Sequence, residues 1–394
     1  MKRRSFLRNT GLASAAILVP KFLTANPWSL AEGQGSRKLI VIQLSGGNDG
    51  LNTIVPYADD LYHNARPSLA WHETEVIKIH EHFGLNPGLE ALHDLYDQGE
   101  WSIINNVGYP NPDRSHFRSM DIWHTASGSE KYLNTGWLGR YLDHTCSVNC
   151  AAHQAIEMGD ELSLALKGTE RDGFVVDNIS SIKMAIKNPY TRMKSLAQGE
   201  NENLDYLFKV LIETQQSADY LLEKSKVYTS KVSYPLGKFG NDLKKVAELI
   251  NSGNNTSIYY LDLSGFDTHV FQKNKQKRLL KTYAEGVASF VEDLKMNGNM
   301  DDVLIMTFSE FGRRVKENAS GGTDHGTANN VFLMGTGLKH AGLYMDSTDL
   351  GDLDKGDLKY KIDFRRVYAE VLENWLGTTK GEILSGKFET LGVV

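Results

Sequence analysis

The stretch Lys38–Gly50, KLIVIQLSGGNDG, decides the fold. Its first part, Lys38–Leu44, is an almost unbroken apolar, β-branched run. Such a run, without polar alternation, reads as a strand covered on both faces, the pattern of a parallel sheet. It ends in Ser45-Gly46-Gly47-Asn48-Asp49-Gly50, where paired glycines let the backbone turn tightly and present Asp49 at the strand's end. The turn has neither the GxGxxG nor the GxxxxGK[ST] spacing, which argues against a dinucleotide or P-loop phosphate cradle.

Working outward, the same grammar recurs in Trp101–Val107 (WSIINNV), Ser257–Leu263 (SIYYLDL), Val303–Phe308 (VLIMTF) and Val331–Met334 (VFLM). Helical patterns occupy Pro87–Asp97, Lys277–Met296 and Phe364–Leu376. This alternation predicts an α/β sandwich, a mostly parallel central sheet with helices on both faces, whose ligands gather at the carboxyl ends of the strands. From about 160 to 255 the chain changes character, with long Lys/Glu-rich helical stretches at Asn203–Lys226 and Leu236–Ile250. That segment predicts a helical insertion or cap, and no internal repeat or low-complexity tract accompanies it.

The amino terminus, Lys2-Arg3-Arg4-Ser5-Phe6-Leu7-Arg8, is close to a full twin-arginine export signal. The apolar stretch behind it, Gly11–Val19, is far shorter than the roughly 20 residues of a spanning helix. Residues 1–31 therefore read as a signal peptide, cleaved after Ala25 or Ala31, and 32–394 as the mature domain in the periplasm or outside the cell, with no stable membrane span. Removing that segment takes away Lys2, Arg3, Arg4, Arg8 and Lys21, so the net charge moves from −6 to −11. An acidic mature surface argues against nucleic acid as a partner. Only Cys146 and Cys150 occur, in DHTCSVNC; an oxidising compartment favours a local disulfide over free thiols or a metal site with His144 and His153.

Ligand-type residues follow the strands almost at once. Ser257–Leu263 runs into Ser264-Gly265-Phe266-Asp267-Thr268-His269, and Val303–Phe308 into Ser309-Glu310-Phe311-Gly312-Arg313-Arg314. A glycine-flanked loop presents Gly321-Gly322-Thr323-Asp324-His325-Gly326 just before Val331–Met334. Each cluster alone is as well explained by a turn or helix cap, but four at one sheet edge predict a shared site. A carboxylate and an imidazole two residues apart can reach one divalent metal. A further cluster, Arg114-Ser115-His116, places a cation, a hydroxyl and an imidazole on one loop. It reads either as a metal-activated nucleophile with an arginine on an anion or as Ser115 capping a helix that runs through Trp123.

Taken together, LSGGNDGLNTIVPY, RSHFRSMDIW, GFDTH, SEFGRR and GGTDHGTANNVFLMG resemble the exported bacterial family catalogued as domain of unknown function 1501, placed with the alkaline-phosphatase-like proteins. That wider group includes phosphatases, sulfatases and phosphate mutases that use two metal ions and a Ser/Thr or formylglycine nucleophile. The resemblance implies Asp49, Asp267, His269, Glu310, Asp324 and His325 as metal-site residues and Ser115, or else Ser119, as nucleophile. Arg114, His116 and Arg313 are implied as its catalytic neighbours, with Arg314 as another anion grip. Where the wider group has Asp-His-Gly, this chain has Glu310-Phe311-Gly312. The second metal site thus lacks a histidine, leaving one metal, an oxygen-rich second site, or none. The expected cofactor is a divalent metal (Zn, Mn, Mg or Ca), and the expected activity is hydrolysis or transfer on a phosphate or sulfate ester of a small molecule or glycan. The alternative is a non-catalytic exported binding or accessory protein, and the resemblance also implies an exported protein partner.

Overall fold

The computed structural model describes residues 37–146, 151–177, 202–344 and 348–394, with the side chains of 202–209 and 211 left aside. Residues 1–31, expected as a signal peptide, and Cys150 lie outside these residues. Cys146 is held in a disulfide.

The central sheet comprises β1 (Lys38–Ser45), β2 (Trp101–Gly108), β3 (Ala155–Met158), β4 (Phe174–Val175), β5 (Ile258–Ser264), β6 (Val303–Phe308), β7 (Asn329–Met334), β8 (Gly342–Leu343) and β9 (Ile362–Asp363). Its order is β8-β2-β7-β6-β1-β5-β3-β4, with β9 also on β2. β1 pairs in parallel with β5 and β6, so the strand that opened the sequence reading lies at the centre of the sheet. All pairings are parallel except those of β7, which runs against both β6 and β2. The reversal decides where the site is. Loops after β1, β2, β5 and β6 emerge at one end of the sheet, and because β7 is antiparallel, the loop that precedes it emerges there too.

Both faces of the sheet are covered, as the unbroken apolar runs require. Ile40, Ile42, Tyr259, Leu261 and Ile305 join one buried cluster with α4 (Lys238–Asn251) and α5 (Gln272–Met296). Leu39, Val41, Tyr260, Leu304 and Met306 face the other way, onto Trp123 of α1 (His116–Thr125), Trp137 of α2 (Trp137–Thr145) and Tyr368 of α6 (Phe364–Glu370). Alternate residues of one strand feeding two cores is what a period of two produces. Of the segment expected as an insertion, α3 (Glu202–Lys224) precedes α4, and α4 itself packs Phe239, Leu243, Val246 and Ile250 into the first core. Its second helix is thus part of the sandwich layer. The expected helix at Phe364–Leu376 is α6 followed by a π-helical turn, Val371–Trp375. No helix among the described residues is long and apolar enough to cross a membrane.

Candidate functional site

Three imidazoles meet at the end of the sheet. His116 comes from the first turn of α1, His269 from the loop after β5, and His325 from the loop before β7. The His116 and His325 rings are edge to face at 4.4 Å, and those of His269 and His325 lie 4.8 Å apart. Glycines make the approach of these loops feasible. A Cβ on Gly46 would lie 2.3 Å from the Asp267 nitrogen, and one on Gly322 would lie 2.3 Å from the His269 carbonyl carbon, so the loops touch backbone to backbone.

Each ring has its Nδ1 fixed by an acceptor. His325 Nδ1 is 2.8 Å from the Arg114 carbonyl oxygen, His269 Nδ1 is 3.2 Å from Asp324 Oδ1, and His116 Nδ1 is 2.8 Å from Glu310 Oε1. These oxygens accept, so Nδ1 carries the proton, and in the neutral ring Nε2 keeps a lone pair; a second proton on Nε2 would donate to the Asp267 carboxylate, as at His325. The three Nε2 atoms turn toward Asp267. His269 Nε2 is 3.0 Å from His325 Nε2, and the Asp267 carboxylate is 3.1 Å, 3.3 Å and 3.7 Å from His269, His325 and His116 respectively. His116 Nε2 is buried with no hydrogen-bond partner. One ligand atom from each of His116, Asp267 and His325 falls within 4.8 Å of the others. Converging lone pairs with a carboxylate among them need a proton or a cation, and imidazole nitrogens fixed through Nδ1 are the usual donors to a divalent transition metal.

The electrostatics follow from this packing. Burial pushes the Asp267 carboxyl up, but the Arg313 guanidinium and the neighbouring imidazoles outweigh it and bring the pKa down to about 2. The hydrogen bond to Glu310 raises His116, while burial lowers His325. Asn318 and His269 together hold Asp324 below the usual carboxylate range.

Other expected residues take different places. Glu310 is buried; its Oε1 accepts from Gly46 N–H (2.9 Å) as well as from His116, so it orients an imidazole from behind. Asp324 does the same for His269. Asp49 is not in the cluster: its carboxylate is fully buried in a 2.6 Å pair with Arg66 and also accepts from Gln272. Arg313 faces inward, donating to the carbonyls of Gly46, Gly47, Phe266 and Thr323 and to Asp267 (2.7 Å), so it ties loops together and is not free to grip a ligand. Phe311 packs its ring 4.8 Å from His116 and 4.7 Å from His325, where the wider group's pattern has a histidine. Ser115 is exposed at the N-cap of α1 and makes no side-chain capping bond. Ser119 is buried, its hydroxyl engaged with Asp113 O and Tyr109 OH.

An open cleft of about 320 Å³ is lined by Arg114, His269, Arg314, Asp324 and His325. Both arginines lean on the buried carboxylate of Asp357. Two guanidiniums on one carboxylate leave one positive charge beyond Asp357, which faces the negative charge of Asp324 on the same wall. Asp357 and Arg66 carry no motif signal in the sequence. Asp357 sits in a short hairpin distant in the chain, and Arg66 sits in NARPSLAW, away from any strand end.

The family described as "Protein of unknown function (DUF1501)" matches residues 103–383. The chain belongs to that family. Among solved structures, those similar to this DUF1501 chain include the lipoteichoic acid synthase LtaP from Listeria monocytogenes (10% identity, TM-score 0.40, covering 92% of this chain and 75% of that one). The PsFucS1 sulfatase from Pseudoalteromonas sp. is another (11%, 0.39, 88% and 68%). A protein in the alkaline phosphatase superfamily from Vibrio parahaemolyticus is a third (10%, 0.40, 89% and 69%). No curated protein sequence matches the chain.

Proposed function

We propose that this DUF1501 protein is an exported, metal-dependent hydrolase or transferase acting on a phosphate or sulfate ester. The observation that carries the reading is the convergence of three imidazole Nε2 atoms on the Asp267 carboxylate, with His116 Nε2 buried and without a partner. In this reading Asp267, His269, His325 and His116 hold one divalent metal, and Glu310 and Asp324 orient the rings. When bound, that ion supplies Lewis-acid stabilisation of charge on the reacting ester. Arg114 and Arg314, fixed by Asp357, hold non-bridging oxygens in the cleft. Ser115, exposed between Arg114 and His116, is the candidate nucleophile. The N-terminus of α1 at Ser115 adds favourable potential for an anion. Export through the twin-arginine route, a periplasmic or extracellular location and an exported protein partner complete the proposal.

Two observations favour the rival reading, a non-catalytic binding or accessory protein: Phe311 fills a position where a histidine would complete a second metal site, and Asp49 is already neutralised by Arg66. Elemental analysis of mature protein decides first, against an Asp267→Ala/His269→Ala variant. Near-stoichiometric metal in wild type that is absent from the variant is expected. A wild type that holds no metal after incubation with Zn or Mn sinks the enzyme reading. Ser115→Ala then separates the two: metal retained and ester turnover lost is the enzyme outcome, and no change in any turnover is the rival's.

A further inference from the structure

Phe117 is 88% exposed and Phe271 is 85% exposed; among the exposed large apolar side chains of the described residues only Leu236, at 97%, is more so. Both lie beside the cluster in sequence, Phe117 directly after His116 and Phe271 two residues after His269. Side chains of successive helical residues diverge by about 100°. With His116 turned in to Glu310, Phe117 at the start of α1 is turned out to water. Phe271 precedes α5 with a φ of 49°, in the left-handed region that a bulky side chain rarely adopts. Its N–H is held by Ser320 O at 3.3 Å, on the loop that leads to Asp324. The strained backbone therefore carries a phenyl ring into solvent, where it adds nothing to the core. Strained residues held by their surroundings cluster at active sites and ligand clamps. Next to Phe117, Arg118 lies over the ring of exposed Tyr132 at 3.7 Å and donates to Ser129 O and Lys131 O.

We infer that Phe117 and Phe271 form a stacking rim for the ring-bearing alcohol portion of the ester whose anionic group occupies the Arg114–Arg314 cleft. The inference rests on the ester reading above. A phenyl face has no hydrogen-bonding atoms and attracts flat C–H or π faces by dispersion, as a saccharide or an aryl group presents. The Arg114 and Arg314 guanidiniums are the donors for the anionic other end of the same molecule. A site with a few convergent polar groups and an apolar margin is the usual design for such a two-ended ligand.

The test titrates three probes calorimetrically into the full mature chain loaded with zinc: methylphosphonate, phenylphosphonate and glucose 6-phosphate. One or both ring-bearing probes bind about tenfold tighter than methylphosphonate, and which of them does so distinguishes an aryl from a saccharide source. In Phe117→Ala/Phe271→Ala that preference falls to parity, while methylphosphonate affinity and the circular dichroism spectrum stay unchanged. A wild type without ring preference, or a double variant that keeps it, overturns the inference. So does a double variant that keeps the ring preference and loses only binding to phosphatidylglycerol vesicles, since the rim is then a lipid contact. Absence of methylphosphonate binding in wild type counts against the ester reading alone; ring-probe binding that vanishes in the double variant still upholds the rim in that case, and its absence removes it.

Discussion

Asp49 and Asp267 follow apolar strands at the same end of one sheet, yet they are opposites in chemistry. Asp49 is 0% exposed and closed by the guanidinium of Arg66, itself 0% exposed. Asp267 is half exposed, with three imidazoles around it and Arg313 at its back. The first carboxylate is neutralised by a side chain and braces the fold, because Arg66 also donates to the Val315 and Arg314 carbonyls. The second has open lone pairs beside it. An acid at a strand end says that a charge is placed there, and what surrounds it decides whether that charge serves packing or ligand binding.

The largest effect that tests the contrast is on folding. Arg66→Ala leaves Asp49 buried and uncompensated, with one oxygen, Oδ1, already partnerless, at a cost of about 3–5 kcal/mol in urea unfolding. His269→Ala, a partly exposed ring in the other region, changes stability by less than about 1 kcal/mol in the same measurement. Equal losses would erase the distinction between the two regions.

Glu157 sharpens it. This acid on β3 is nearly as buried as Asp49 but has no ion-pair partner among the described residues, and burial pushes its pKa from the ordinary 4.5 up to about 7, partly offset by the Ser163 N–H bond. The fold therefore holds a proton that the unfolded chain releases. Its contribution is fully present below about pH 4.5 and is lost as pH rises to about 7, a change of roughly 3 kcal/mol. Unfolding free energies measured across that window should flatten in Glu157→Gln; an unchanged pH slope removes the assignment.

The smallest effect concerns the orienting carboxylates. Glu310→Gln keeps the shape but weakens the hold on His116 Nδ1, and metal affinity by competition titration should fall about tenfold to a hundredfold. If Glu310 instead bound the ion directly, the loss would match that of Asp267→Asn.

Much of this architecture is legible in the sequence alone. Lys38–Leu44 and the runs beginning at 101, 257 and 303 end within about two residues of the observed strands, because a doubly covered strand has no polar face to blur its limits. That GFDTH and SEFGRR share one end of the sheet was legible from their positions after strands, whereas GGTDHG, which precedes its strand, reaches that end only because β7 is reversed. The direction of β7 was not legible, since a short apolar run has no polarity in its pattern. Nor were the separate roles of Glu310 and Asp324: a sequence places a carboxylate near an imidazole but not on its Nδ1 or Nε2 side. Arg66 and Asp357 were invisible because neither sits at a strand end: Arg66 reaches Asp49 from a helix end 17 residues on, and Asp357 reaches Arg114 from a hairpin 243 residues away.

The backbone contact of Gly46 with Asp267, and of Gly322 with His269, has a consequence for the order of assembly. Loops locked by main-chain contact need no ion to draw them together, so under the proposed reading the chain would reach its final shape first and take up metal afterwards. A chelator would then empty the centre as a key leaves a lock, and returning the ion would restore it without a round of refolding.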